Sequence, residues 1–235
     1  MIEVVNLAKR YGRIWVLQDI NLRIQRGEVL VLFGDNGSGK TSLLNQFAMI
    51  SKPSQGELFL DGKNLKKSFS EGLGMVPHNP FLYSSLSIRE NLDFFGSLYG
   101  LKKSLKEMRI DALSSVFELF DYLDRPVRQL SEGLVKRVSI VRAIIHDPEV
   151  ILMDEPFVCL DGKFTEKLTD ILKGGFSLEC LNRKPEKRFF VFSTHNLERA
   201  LDIGSKIGVL NAGKLIALDD VENLSSERIY KLING

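Results

Sequence analysis

The segment Val29-Leu30-Val31-Leu32-Phe33-Gly34-Asp35-Asn36-Gly37-Ser38-Gly39-Lys40-Thr41 constrains this chain more than any other. The unbroken apolar run at its start suits a strand buried on both faces, and Ser42-Leu43-Leu44-Asn45-Gln46-Phe47 after the glycines favours a helix. Between them, Gly34 to Thr41 satisfies G-x-x-x-x-G-K-[ST]. In that pattern backbone N–H groups wrap phosphates, the lysine meets the β- and γ-phosphates and the hydroxyl reaches Mg2+. At ordinary glycine frequency a chance match in 235 residues is on the order of one in a hundred, and the flanking strand and helix lower it further. Gly34, Asp35, Asn36, Gly37, Ser38, Gly39, Lys40, Thr41 and Ser42 are therefore expected to bind a nucleotide's phosphates, with Lys40 acting on the transferring phosphoryl group and Thr41 on the metal.

Two further apolar runs end in polar residues. Val150-Ile151-Leu152-Met153 leads into Asp154-Glu155, and Phe189-Phe190-Val191-Phe192 leads into Ser193-Thr194-His195. Parallel strands end where ligands bind. By itself an acid pair is usually a solvated helix cap, and a lone histidine an ordinary polar strand end. Beside a complete phosphate loop the chemistry reads differently. Asp154 is expected to hold Mg2+, Glu155 to polarise the attacking water, and His195 to contact the γ-phosphate or that water.

Elsewhere the alternation Ile20-Asn21-Leu22-Arg23-Ile24 predicts a half-exposed strand, and Ile207–Leu210 with Leu215–Leu218, joined by Asn211-Ala212-Gly213, a terminal hairpin. From Leu86 to about His146 the periodicity is helical, with helices expected near Ser87–Leu98, Ser104–Phe120 and Ser131–His146; this block reads as an inserted subdomain. Gly174 to Arg188 is glycine-bearing and charged, and reads as a surface loop.

Composition mainly excludes. A net charge of +2 leaves no single-sign field, so no nucleic acid partner is expected. The apolar runs fall well short of the roughly 20 residues that span a bilayer as a helix. The N-terminus lacks the features of a signal peptide, and Cys159 and Cys180 imply neither a disulfide framework nor a metal site. Both point to a cytoplasmic chain.

One more segment, Leu130-Ser131-Glu132-Gly133-Leu134 followed by Arg137, brings a family into view. The chain resembles the ATP-binding cassette ATPases over nearly its whole length. In order it carries an aromatic before the first strands (Tyr11), the phosphate loop, a Q-loop region near Val76–Phe81, this variant of L-S-G-G-Q, Asp154-Glu155, a D-loop at Val158-Cys159-Leu160-Asp161, and His195. The resemblance implies an α/β, P-loop NTPase fold with a mostly parallel central sheet, an antiparallel β edge and the helical insertion, in one domain over residues 1–235. It implies ATP as substrate, Mg2+ as cofactor and Tyr11 on the adenine. It also implies a second cassette whose ATP meets Ser131 and Gly133, and a transmembrane permease subunit that holds the chain at the inner face of the membrane. Ser131 fits such a role physically, because a capped helix N-terminus presents N–H groups to an anion.

Two departures stand out. His78 occupies the Q-loop place of glutamine, where it could still reach a metal-bound water; with Phe81-Leu82-Tyr83 and Glu90-Asn91-Leu92 it gives a more distant resemblance to the haem-exporter ATPases of cytochrome c maturation. Glu132 and Leu134 replace a glycine and the glutamine of the signature. The rival readings are a soluble cassette ATPase of a non-membrane assembly complex and a weakly hydrolysing, nucleotide-dependent interaction module.

Overall fold

The structure, a computed structural model, describes residues 1–65 and 72–234. Its centre is a six-stranded sheet. β3 (Val29–Phe33), β6 (Leu73–Val76), β7 (Val150–Asp154), β8 (Phe189–Thr194) and β9 (Lys206–Asn211) are parallel, and β10 (Lys214–Asp220) adds an antiparallel edge, in the order β10-β9-β3-β8-β7-β6. A second, antiparallel sheet is built from β1 (Ile2–Tyr11), β2 (Ile14–Ile24), β4 (Gln55–Leu60) and β5 (Lys63–Asn64), ordered β2-β1-β4-β5.

The continuous apolar runs follow from burial on both faces. Val29, Val31 and Phe33 join one core with Ile151, Met153, Phe190 and Phe192, while Leu30 and Leu32 join a second with Val150, Leu152, Phe189 and Val191. This is the two-residue period of a strand with apolar matter on either side. The second core is closed by the antiparallel sheet, through Ile2, Val4, Leu17 and Ile20, and by α1 (Lys40–Phe47).

Between β6 and β7 lie α2 (Ile88–Leu98), α3 (Lys103–Val116) and α4 (Glu132–Ile144), whose apolar faces enter the first core. α2 starts in a capping box: Ser87 Oγ accepts from the Glu90 amide at 3.1 Å and Glu90 Oε2 from the Ser87 amide at 2.7 Å. α4 starts at Ser131, whose hydroxyl accepts from the Leu134 amide at 3.3 Å. α3 stops at Val116, four residues short of the expected end, because Glu118 turns left-handed at φ 55° and the Leu119 amide bonds back to Ser114 O at 2.7 Å.

After β7 come α5 (Gly162–Lys173) and, beyond β8, α6 (Leu197–Ile203); α7 (Ser226–Asn234) follows β10. The segment 174–188 corrects the expectation of a surface loop. Phe176, Cys180, Leu181 and Arg188 are buried, Phe176 stacks on Phe190 at 5.7 Å, and Arg188 Nη2 meets Asp147 Oδ1 at 2.6 Å. The charged residues that suggested solvent include one that is wholly buried because it satisfies Asp147 and the Pro148 carbonyl. No helix among the described residues is long and apolar enough to cross a membrane.

Candidate functional site

The strands β3, β7 and β8 are neighbours, so the three polar tips expected from sequence are brought to one edge of the sheet. The loop from Gly34 to Gly39 turns between β3 and α1, and Gly37 and Gly39 take positive φ of 83° and 108°. Gly37 has open space where a Cβ would stand, so its constraint is conformational. Gly34 is constrained from behind: a Cβ there would lie 2.2 Å from the Leu210 carbonyl oxygen of β9.

Lys40 lies at the start of α1 with its ammonium turned into the loop, donating to the carbonyls of Gly34 at 2.7 Å and Asp35 at 3.0 Å. Burial pushes its pKa down, against the opposing pull of Glu155, Asp154 and Asp35. Loop carbonyls and a carboxylate 4.0 Å away thus hold a nearly buried cation where phosphates would be met.

Asp154, at the end of β7, is 1% exposed. Its Oδ2 accepts from Thr41 Oγ1 at 2.8 Å and its Oδ1 from Ser193 Oγ at 2.6 Å. Ser193 stands opposite Asp154 in the β7–β8 register, and its hydroxyl also accepts from the Glu155 amide at 3.0 Å. Glu155 itself adopts φ 45°, a strained conformation for a non-glycine residue, and its Oε1 lies 3.0 Å from His195 Nδ1. Thr41 and Asp154 present hard oxygen donors, one of them a carboxylate. This fits Mg2+, which takes one or two carboxylates and completes its octahedron with phosphate oxygens and water; no cage of three or more acidic, His or Cys groups is present among the described residues.

A cavity of about 470 Å³ opens here, lined by Val16, Asn36, Gly37, Gly39, Lys40, Thr41, Ser42, His78, Asn79, Asp154 and Glu155. His78 therefore reaches the phosphate site although it follows a different strand. Tyr11 does not line the cavity; it ends β1 opposite Ile14, half exposed, with the Lys9 ammonium 5.0 Å from its ring. Val16 on β2 takes the wall position, and Trp15 is instead covered by the Arg10 guanidinium at 5.4 Å.

Ser131 and Gly133 are not in that cavity either. Ser131 is exposed at the head of α4, and Gly133 packs on the D-loop, where a Cβ would come within 2.7 Å of the Cys159 carbonyl oxygen. The Glu132 carboxylate accepts from Cys159 Sγ at 3.2 Å and pushes that thiol's pKa up. Arg137 ties α4 to the following segments through Asp161 at 2.6 Å, Glu118 at 2.9 Å and the face of Phe164 at 3.8 Å.

The sequence family described as ABC transporter matches residues 17–158, which include the phosphate loop, the α4 signature and the acid pair. The chain belongs to the ABC transporter family. It is 32% identical to the ABC transporter ATP-binding protein NatA of Bacillus subtilis, over 97% of this chain and 93% of that one. It is 35% identical to the taurine import ATP-binding protein TauB of Roseobacter denitrificans, over 89% and 77% respectively. Among solved structures, a dimeric ATP-binding cassette in a post-hydrolysis state with ADP and Pi superposes with a TM-score of 0.85 at 26% identity, covering 95% of this chain and all of that one. The cassette is thus an ATP-binding, ATP-hydrolysing subunit of transporter type, with the fold that the resemblance implied.

Two contributors to the site are not singled out by sequence reasoning. Ser193 is visible only through its register opposite Asp154. Lys136 lies on the buried side of α4, its ammonium donating to the Asp154 carbonyl oxygen at 3.1 Å. Burial lowers its pKa, and Asp154, Cys159 and Glu155 oppose the shift.

Proposed function

We propose that two cassettes close head to tail on two ATP molecules, and that the helical block between β6 and β7 docks this motor on a separate transmembrane permease subunit at the inner face of the membrane. The observation that carries the dimer is the separation of Ser131 from its own phosphate cavity: an exposed, capped helix N-terminus is left for an anion brought by another copy. Docking is supported by the exposed side chains of Phe81, Tyr83, Phe94 and Leu98, in which the rings of Tyr83 and Phe94 meet edge to face at 5.1 Å.

In this reading Asn36, Gly37, Ser38 and Gly39 offer backbone N–H groups to the phosphates, with Gly34 and Asp35 shaping the turn and Ser42 at the start of α1. Lys40 exchanges its two loop carbonyls for β- and γ-phosphate oxygens. Thr41 and Asp154 hold Mg2+, which when bound supplies neutralisation of the phosphate oxygens. Glu155 orients and deprotonates the attacking water, while His195 holds the Glu155 carboxylate from one side and faces the γ-phosphate. His78 watches the cavity from the segment that leads into the helical block. Tyr11, half exposed at the end of β1, is the aromatic assigned to the adenine.

The test is isolation of the tagged chain from detergent-solubilised membranes. A polytopic membrane protein should co-purify with it, and Phe94→Lys should release that protein while leaving the isolated chain's ATPase activity intact. Recovery of the chain alone, or association indifferent to the substitution, would overturn the docking assignment.

A further inference from the structure

One peptide unit of the site is held at both poles by groups that the roles above do not use. The Asp154 carbonyl accepts from Lys136 Nζ at 3.1 Å, and the Glu155 N–H, on the same peptide plane, donates to Ser193 Oγ at 3.0 Å. That plane sets ψ of Asp154 and φ of Glu155, and so the direction in which the Glu155 carboxylate leaves the strand. The φ of 45° at Glu155 belongs to a sparsely populated region that persists only where the surroundings over-determine it.

The two clamps have different anchors. Ser193 belongs to β8, the strand paired with β7, so it moves with the sheet that carries Asp154. β6 pairs with β7 only as far as Val76 opposite Met153, and the Asp154 carbonyl is met instead by an ammonium carried on α4. That ammonium is buried, an expensive place for a charge unless it is used. α4 is also the helix capped by Ser131, and its first turn is locked to the residues after Glu155 by the Gly133–Cys159 packing and the Glu132–Cys159 hydrogen bond at 3.2 Å.

We propose that Lys136 is a positioning residue for hydrolysis: by holding the Asp154–Glu155 peptide from the signature helix, it ties the aim of this chain's own Glu155 to the place of the helix end that meets the opposing ATP. The proposal rests on the two-cassette reading above. It gives each cassette a short mechanical link between the ATP it hydrolyses and the ATP it helps to enclose, a lysine side chain reaching from one helix to one peptide.

The test compares the full chain with Lys136→Met, which keeps the aliphatic stem and removes the donor, and Lys136→Arg, which keeps cation and donor. In Lys136→Met, kcat should fall by about ten- to a hundredfold, the size expected for a misaimed reacting group, with the ATP KM within about twofold. Lys136→Arg should recover most of the loss. Amide exchange gives a readout independent of turnover. The Val158 and Leu160 amides, which bond to Glu155 O and Phe157 O at 3.3 Å, should exchange about tenfold faster in Lys136→Met and at the wild-type rate in Lys136→Arg. Equal impairment of both variants, a raised KM at unchanged kcat, or unchanged exchange in Lys136→Met would overturn the proposal. A Glu155→Gln chain that stays monomeric with MgATP would refute the two-cassette reading instead, and the exchange comparison would still decide whether Lys136 holds the turn.

Discussion

Replacing Glu155 with Gln should separate nucleotide binding from hydrolysis. Glu155 Oε1 stands 3.0 Å from His195 Nδ1 and 4.0 Å from Lys40 Nζ. The amide keeps the volume, and its oxygen still accepts from His195, so the turn after β7 stays in place. What disappears is basicity. A positioned general base contributes about 10²–10⁴ in rate, which is about 3–5 kcal/mol of barrier. Binding should move the other way. At 4.0 Å the Lys40–Glu155 attraction is worth about 4 kcal/mol before desolvation at an effective dielectric near 20, and its removal frees the ammonium for the phosphates. Single-turnover hydrolysis and equilibrium ATP titration on the same protein measure both effects, and sizing chromatography with MgATP should show a dimer in this variant. A kcat within about threefold of wild type would show that another group activates the water, and lost ATP affinity would show that Glu155 serves the fold of the turn.

His78 and His146 give two further outcomes. His78→Gln, which keeps a polar side chain facing the phosphate cavity, should retain turnover within about twofold, whereas His78→Ala should lower it about fivefold at unchanged ATP affinity; equal turnover in all three would leave His78 as a surface residue. His146, stacked on Tyr99 at 3.7 Å with Nε2 against Leu73 O at 3.1 Å, has its pKa lowered by burial from 6.5 to about 4. The unfolded chain therefore takes up the proton first as pH falls, so stability present above pH 6.5 drains away towards about pH 4, by up to about 3 kcal/mol. His146→Phe keeps the stack and should flatten that slope; parallel pH profiles of melting for variant and wild type would refute the assignment.

What the sequence makes legible is what a strand's two faces or a glycine's backbone imposes locally. β3, β7 and β8 read clearly because burial on both sides removes alternation, and their polar tips follow. The starts of α2 and α4 read from Ser87 and Ser131, where hydroxyls cap free amides. Signals carried by tertiary packing are not legible. α3 ends at a left-handed glutamate, with no glycine to mark it. Arg188 looks like solvent-facing charge until Asp147 is brought against it, and Lys136 looks like one more charge on a helix until the Asp154 carbonyl arrives. The short strand β6, Leu73-Gly74-Met75-Val76, carries too few residues for periodicity to declare it. Tyr11 shows the converse: a motif position read with ease, whose ring lies outside the cavity lining.

The loop between β3 and α1 is proposed to bind ATP for hydrolysis through Lys40. Equilibrium ATP titration and Mg2+-dependent phosphate release, measured on wild type and Lys40→Ala, test it most directly. Lys40 is the buried ammonium facing the loop carbonyls, so its loss should abolish tight binding and hydrolysis together, whereas the wild type saturates and turns over. Wild-type affinity and turnover in Lys40→Ala would contradict the account.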